Sequence, residues 1–152
     1  DGLTLAAQCG ASAVALKVVP RYPRSYFEGG MPVDPSDVRQ IEKQWADAAQ
    51  AEGRSLEVID LRTLYPLDEA LIFERVNAHG KCLVLTEEQQ YNSFAEALAG
   101  RIAYHCFTKL DAPVEVMGAL NLPAVPMNTG LEKAMLPNAE KLEERLRKLL
   151  GE

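Results

Sequence analysis

Glu87 and Glu88 form an adjacent carboxylate pair that closes a short apolar run, Lys81–Thr86. Paired carboxylates can hold a cation or exchange protons with a substrate. The carboxyl end of a strand is also where open α/β sheets bind ligands. No second cluster of ligating residues accompanies the pair, so a solvated or partner-facing pair is the competing reading. His79 precedes Gly80 at the end of a helical pattern, where a charged histidine favours the helix dipole. A structural role for it stands beside a catalytic one. His105 and Cys106 are neighbours in the chain. On a helix they point to different faces and cannot act as a nucleophile–base pair. Asp111 precedes Ala112-Pro113, so it sits in a turn, either shaping it or free to meet a partner. Gly10-Ala11-Ser12 is a small-residue turn that could hold an anion on helix amides. It lacks the glycine pattern of a dinucleotide fingerprint, and a tight strand-to-helix turn is the preferred reading.

The elements that must position these residues are organised around Leu56–Asp68. Leu56, Val58, Ile59 and Leu61 suit a buried strand. Tyr65-Pro66 stops it, since proline removes a donor and restricts the residue before it. Asp68 is placed to cap a helix over 68–78 with Leu71, Ile72 and Val76 inward. A second unit follows at once: the strand Lys81–Thr86, a loop, and a helix from Asn92 or Ser93 to about Phe107. Phe94, Ala97, Leu98, Ile102 and Phe107 form its inner stripe. Upstream, Leu3–Cys9 reads as the first strand, Ser12–Val19 as a short helix, and Ser36–Glu52 as a helix carrying Val38, Ile41, Trp45, Ala48 and Ala49 on one face. Pro20–Pro35 is irregular, with four prolines and Gly29-Gly30 among Tyr22, Tyr26 and Phe27. Downstream, Val114–Met117 is the fourth strand and Ala119–Gly130 a long apolar loop. The chain closes on a helix after Pro137 with a Leu142, Leu146, Leu149 stripe. Repeated strand–loop–helix units imply a parallel sheet covered by helices. Right-handed crossovers put helices on both faces of such a sheet.

The 152 residues suit one domain, with 47% hydrophobic and 25% charged residues. A formal net charge of −6 argues against nucleic acid as the main partner. The three cysteines, Cys9, Cys82 and Cys106, are widely spaced and odd in number. A reducing, cytoplasmic setting is the expectation. No run approaches the roughly 20 apolar residues of a membrane span.

Several phrases together are specific enough to point to a family. EVIDLRTLYPLD (Glu57–Asp68), LVLTEE (Leu83–Glu88), LDAPVEV (Leu110–Val116) and LEKAMLPNAEKL (Leu131–Leu142) come in the right order and spacing. They resemble the C-terminal domain of the β part of 2-oxo acid dehydrogenase E1 components, thiamine-diphosphate enzymes built like transketolase. LTLAAQCGASAVAL (Leu3–Leu16) resembles the family's first strand and turn. ALNLPAVPMNTGLEKAMLPN (Ala119–Asn138) looks most like versions in which α and β parts are fused, of the branched-chain or pyruvate type. Two departures stand out: Pro20–Pro35 intervenes where the family runs on, and the family's edge strand would precede Asp1. A fragment of a longer chain is therefore expected.

With the strand–helix alternation, the resemblance implies a three-layer α/β/α sandwich whose strands lie in the order second, first, third, fourth, and a role in an oxidoreductase acting on 2-oxo acids. It implies thiamine diphosphate and magnesium in the full enzyme, held by other domains and not by this one. The implied partners are the α part, the N-terminal β half, a second copy in a homodimer, and the subunit-binding module of the E2 acyltransferase. Asp111 falls where the family places a docking carboxylate, with Glu87 and Glu88 as further partner-facing candidates. A non-enzymatic α/β interaction module, or the C-terminal domain of another transketolase-like enzyme, remain the alternatives.

Overall fold

The computed structural model describes residues 12–18, 43, 55–124 and 126–151. Its sheet has four strands: β1 (Ser12–Val18), β2 (Ser55–Asp60), β3 (Cys82–Gln89) and β4 (Glu115–Ala119). They lie in the order β2-β1-β3-β4, and every pair is parallel. The helices are α1 (Glu69–His79), α2 (Phe94–His105), α3 (Thr129–Met135) and α4 (Ala139–Leu150). The expected α/β fold and strand order are therefore present.

The first described strand lies where the sequence pattern put a short helix. Leu3–Cys9 lies outside the described residues, and Ser12–Val18 is a strand rather than a helix. Ala13, Val14, Ala15 and Leu16 are all buried. A continuous apolar run is what a strand covered on both faces requires. The predicted helix over Ser36–Glu52 and the irregular Pro20–Pro35 also lie outside the described residues, apart from Lys43, which is helical.

Side chains alternate along β1 and β3, and this splits the core in two. Val14, Leu16, Cys82 and Val84 face α1 and α2, meeting Ile72, Val76, Ala95, Leu98, Ala99 and Ile102. Ala13, Leu83 and Met117 face the other way, onto Leu142, Leu146, Leu149 and Leu150 of α4. The α4 stripe is thus core, covered by this chain's own sheet. β2 is half-buried rather than buried, since it ends the sheet among the described residues.

The helix ends follow local chemistry. Asp68 Oδ1 accepts from Leu71 N at 3.0 Å, and Ser93 Oγ accepts from Glu96 N at 3.1 Å. Asn128 and Asn138 cap α3 and α4 in the same way. Gly80 closes α1 in the left-handed conformation, with its N–H donating to Val76 O at 2.9 Å. The inner stripes are narrower than expected: Leu71 and Ala97 are exposed, and Phe107 is 78% exposed. α2 stops at His105 and a 3-10 turn over Phe107–Lys109 takes the chain off the helix. Helix α3 and the extension of β3 through Gln89 were not anticipated. α1 and α2 are tied by Arg101 Nε, 2.7 Å from Glu69 Oε1.

Two leucines of the final segment test this division of surface from core. Leu142→Ala should cost about 2–5 kcal/mol, the usual range for a buried leucine. Leu120→Ala should stay within about 0.5 kcal/mol. Urea denaturation of the two variants checks both expectations.

Candidate functional site

Parallel strands gather the loops that follow them at one end of the sheet. Among the described residues those loops are 61–68, 90–93, and 120–124 with 126–128. Glu87 and Glu88 sit beside them in the last turns of β3. A bulge interrupts the β3–β4 ladder between Leu85 and Gln89, the kind of irregularity that re-aims side chains. Thr86 Oγ accepts from Glu88 N at 3.2 Å. On β4, a Cβ at Gly118 would stand 2.7 Å from Glu88 O, so only glycine lets the bulged strand approach. Glu88 Oε2 then accepts from Phe94 N at 3.2 Å. That places its charge at the N-terminus of α2, where a carboxylate is favoured. Glu88 is thereby engaged in the fold, while Glu87 is exposed and makes no side-chain hydrogen bond or ion pair among the described residues.

The same end carries an apolar fringe. Tyr65 and Met127 are almost wholly exposed, Tyr91 is 67% exposed and Leu120 55%. Two loops of this fringe are bound into one surface. Tyr91 N donates to Asn121 Oδ1 at 3.2 Å, and Gln89 Nε2 donates to Leu122 O at 2.8 Å. Sequence reasoning found Leu120 and Leu122 through the apolar loop. The same loop includes Met127; the reading missed Tyr65 and Tyr91, which short local patterns do not mark as exposed at this end.

Asp111 lies at the opposite end. Its N–H donates to Gly80 O at 2.7 Å, which pins the turn before β4 against the turn before β3. From there to Glu87 the chain runs most of the length of β3, on the order of 20 Å. The structure therefore brings Glu87 and Glu88 together and leaves Asp111 apart from them. Asp111 is exposed. Beside it, Ala112, Pro113 and Leu149 line a shallow recess rimmed by Arg145 and Lys148. Arg145 is held 2.9 Å from Glu115 Oε2.

The remaining reactive residues serve the fold. His79 Nε2 is 2.9 Å from Glu57 Oε2 on β2, and Arg75 Nε is 3.6 Å from Oε1 of the same carboxylate. His105 stacks on Phe73 with ring centres 4.7 Å apart. Cys106 turns inward, its thiol 3.8 Å from Phe73 O. Cys82 and Cys106 are free and buried. Burial pushes the Cys82 thiol up to about 12, with Cys106 adding in the same direction, and burial raises Cys106 too. Thiols held protonated in this way are poor nucleophiles. Ser12 opens a strand rather than a helix, so the amides proposed for an anion at Gly10-Ala11-Ser12 are not offered by a helix there. Among the described residues no three His, Cys, Asp or Glu side chains converge to hold a metal ion. None of the described helices is long and apolar enough to cross a membrane.

A parallel sheet with helices on both faces and its exposed apolar loops at the carboxyl end defines a three-layer α/β domain. Residues 38–142 match the profile of the transketolase C-terminal domain, and the chain belongs to that family. It is 37% identical over 106 residues to the 2-oxoisovalerate dehydrogenase subunit beta of Bacillus subtilis, covering 70% of this chain and 32% of that protein. It is 36% identical over 103 residues to a 3-methyl-2-oxobutanoate dehydrogenase subunit beta of Mycobacterium tuberculosis, covering 68% and 29%. It is 31% identical over 98 residues to the pyruvate dehydrogenase E1 component subunit beta of Rhizobium meliloti, covering 64% and 21%. The chain thus spans about a third or less of the length of these relatives.

The buried thiol of Cys82 has a consequence for pH. Its folded pKa of about 12 lies above the ordinary value of 9.0. The folded state therefore binds the proton more tightly, and this contribution is complete below about pH 9 and is lost as pH rises toward 12. Urea midpoints should fall between about pH 8 and about pH 10.5, and fall less in Cys82→Ala than in wild type.

Proposed function

We propose that this chain is the C-terminal domain of the β part of a thiamine-diphosphate-dependent 2-oxo acid dehydrogenase, of the branched-chain or pyruvate type. It supports assembly of the E1 component and docking of the acyltransferase, while oxidative decarboxylation takes place on other domains. The observation that carries the reading is the exposed apolar fringe of Tyr65, Tyr91, Leu120, Leu122 and Met127 at the carboxyl end of the sheet. Large apolar side chains exposed at one end of a sheet suit an interaction surface. The similarity to three β subunits supports the enzyme class.

In this reading the carboxyl end meets the α part and the remainder of the β part, within an E1 that pairs two copies of this domain. The apolar stripe of α4 does not take part in that pairing, because Leu142, Leu146 and Leu149 are already buried against the sheet. Thiamine diphosphate and magnesium supply the carbanion chemistry of such enzymes when bound. In this reading the cofactor and its magnesium are held by the other domains of the enzyme. The chain's own contribution is contact area, exclusion of water from that contact, and a carboxylate for docking. Free, buried Cys82 and Cys106 suit a reducing, cytoplasmic setting.

Asp111 is the docking carboxylate of this reading. It is exposed, sits in a turn held by backbone, and belongs to a chain of net charge −6. A basic module would be drawn to such a surface mainly through its association rate.

The two ends give separate expectations. Leu120→Asp should weaken assembly with the α part by about ten-fold, since an apolar contact would then bury a charge. Sedimentation of the co-expressed parts reads this, and unchanged assembly would contradict the role of the fringe. Asp111→Asn should leave assembly intact and weaken capture of the acyltransferase's subunit-binding module by about ten-fold, with a shallower salt dependence. A titration of that module at several salt concentrations reads it, and unchanged affinity and slope would reduce Asp111 to a turn residue.

A further inference from the structure

We propose that Gly80 is a positioning residue for Asp111: the missing side chain of Gly80 is the space in which the Asp111 carboxylate rests, ready for a cationic side chain of a docking partner. The proposal rests on the reading of Asp111 as a docking carboxylate and adds the residue that sets where that carboxylate stands.

A Cβ built on Gly80 would lie 2.4 Å from Asp111 Oδ2 and 3.0 Å from its Cγ. No side chain could occupy that point while the carboxylate stays. On its other side the same turn is fixed by the 2.7 Å bond from Asp111 N to Gly80 O. One residue therefore sets both ends of Asp111: its carbonyl fixes the backbone, and its bare Cα receives the side chain. The carboxylate itself accepts no hydrogen bond and forms no ion pair among the described residues. It is exposed, so its charge is left to water until a guanidinium or ammonium arrives. A Cβ at Gly80 would turn the carboxylate away from this place, so glycine decides where the charge can stand without holding it by any bond.

Gly80 has a second reason to be glycine, and the two can be separated. Its φ of +74° closes α1 in the left-handed conformation. Asparagine also adopts that conformation at helix ends. If the cap were the whole role, asparagine would serve. It would still place a Cβ where the Asp111 carboxylate lies.

The test is a double-mutant cycle on the assembled E1 carrying this chain, titrated with the subunit-binding module of its acyltransferase. Thermal unfolding is followed alongside. Gly80→Asn should stay folded and assembled, yet bind the module about ten-fold more weakly, as expected for a displaced charge contact. In the Asp111→Asn background the same substitution should add no further loss, because the carboxylate it displaces is gone. Full affinity in Gly80→Asn would overturn the proposal, as would losses that simply add. Asp111→Glu supplies a check that leaves Gly80 untouched. It keeps the charge but extends it by one methylene past the space over Gly80, and should lose affinity several-fold. Wild-type affinity in Asp111→Glu would show that placement does not matter. If Asp111→Asn alone changes nothing, the docking reading itself fails, and the proposal falls with it.

Discussion

The backbone ladder that runs from β2 through β1 and β3 to β4 holds every strand in one direction. Most other features follow from that constraint. Parallel strands need a crossover between each pair, so helices must cover the faces. Both faces being covered, β1 and β3 carry near-continuous apolar runs, and Ala13–Leu16 and Cys82–Val84 are buried. The loops after the strands are left at one end and the turns before them at the other. The bulge in β3 acts within this frame: by breaking register beside Gly118 it hands Glu88 to the first amides of α2.

The two ends differ in chemistry. At the carboxyl end, aromatic and aliphatic side chains stand in solvent around loops cross-linked by Tyr91, Asn121 and Gln89. At the amino end, a carboxylate sits in a turn held by the carbonyl of a helix-capping glycine. Large apolar contacts suit permanent association, whereas exposed charges suit steered, reversible encounters. Under the proposed function the apolar end would hold the α part and the charged turn would meet the acyltransferase, one surface of each kind.

Much of this was legible in the chain. Asp68, Ser93 and Gly80 announced helix ends because capping is local chemistry that a few neighbouring residues decide. The parallel sheet was legible from strand–helix alternation, which leaves few topologies, and the family resemblance supplied the order. The position of β1 was not, since a short run such as Ser12–Val18 carries no periodicity to separate a doubly covered strand from a helix. Phe107 looked like core because the pattern could not show that the helix stops at His105. Glu87 and Glu88 looked equivalent because the bulge that separates their roles depends on Gly118, thirty residues on in another strand. Asp111 was visible through Ala112-Pro113, but its relation to Gly80 was not, because it arises only when β3 and β4 lie side by side.

The division between the two ends is tested most directly by amide hydrogen exchange on three samples: the domain alone, the assembled E1, and the assembled E1 with the acyltransferase's subunit-binding module. Assembly should slow exchange in the loops 61–68, 90–93 and 120–128 and leave the turn around Asp111 unchanged. Adding the module should then slow exchange at 109–113 alone. Protection of both ends by one partner, or of the Asp111 turn on assembly without the module, would contradict it.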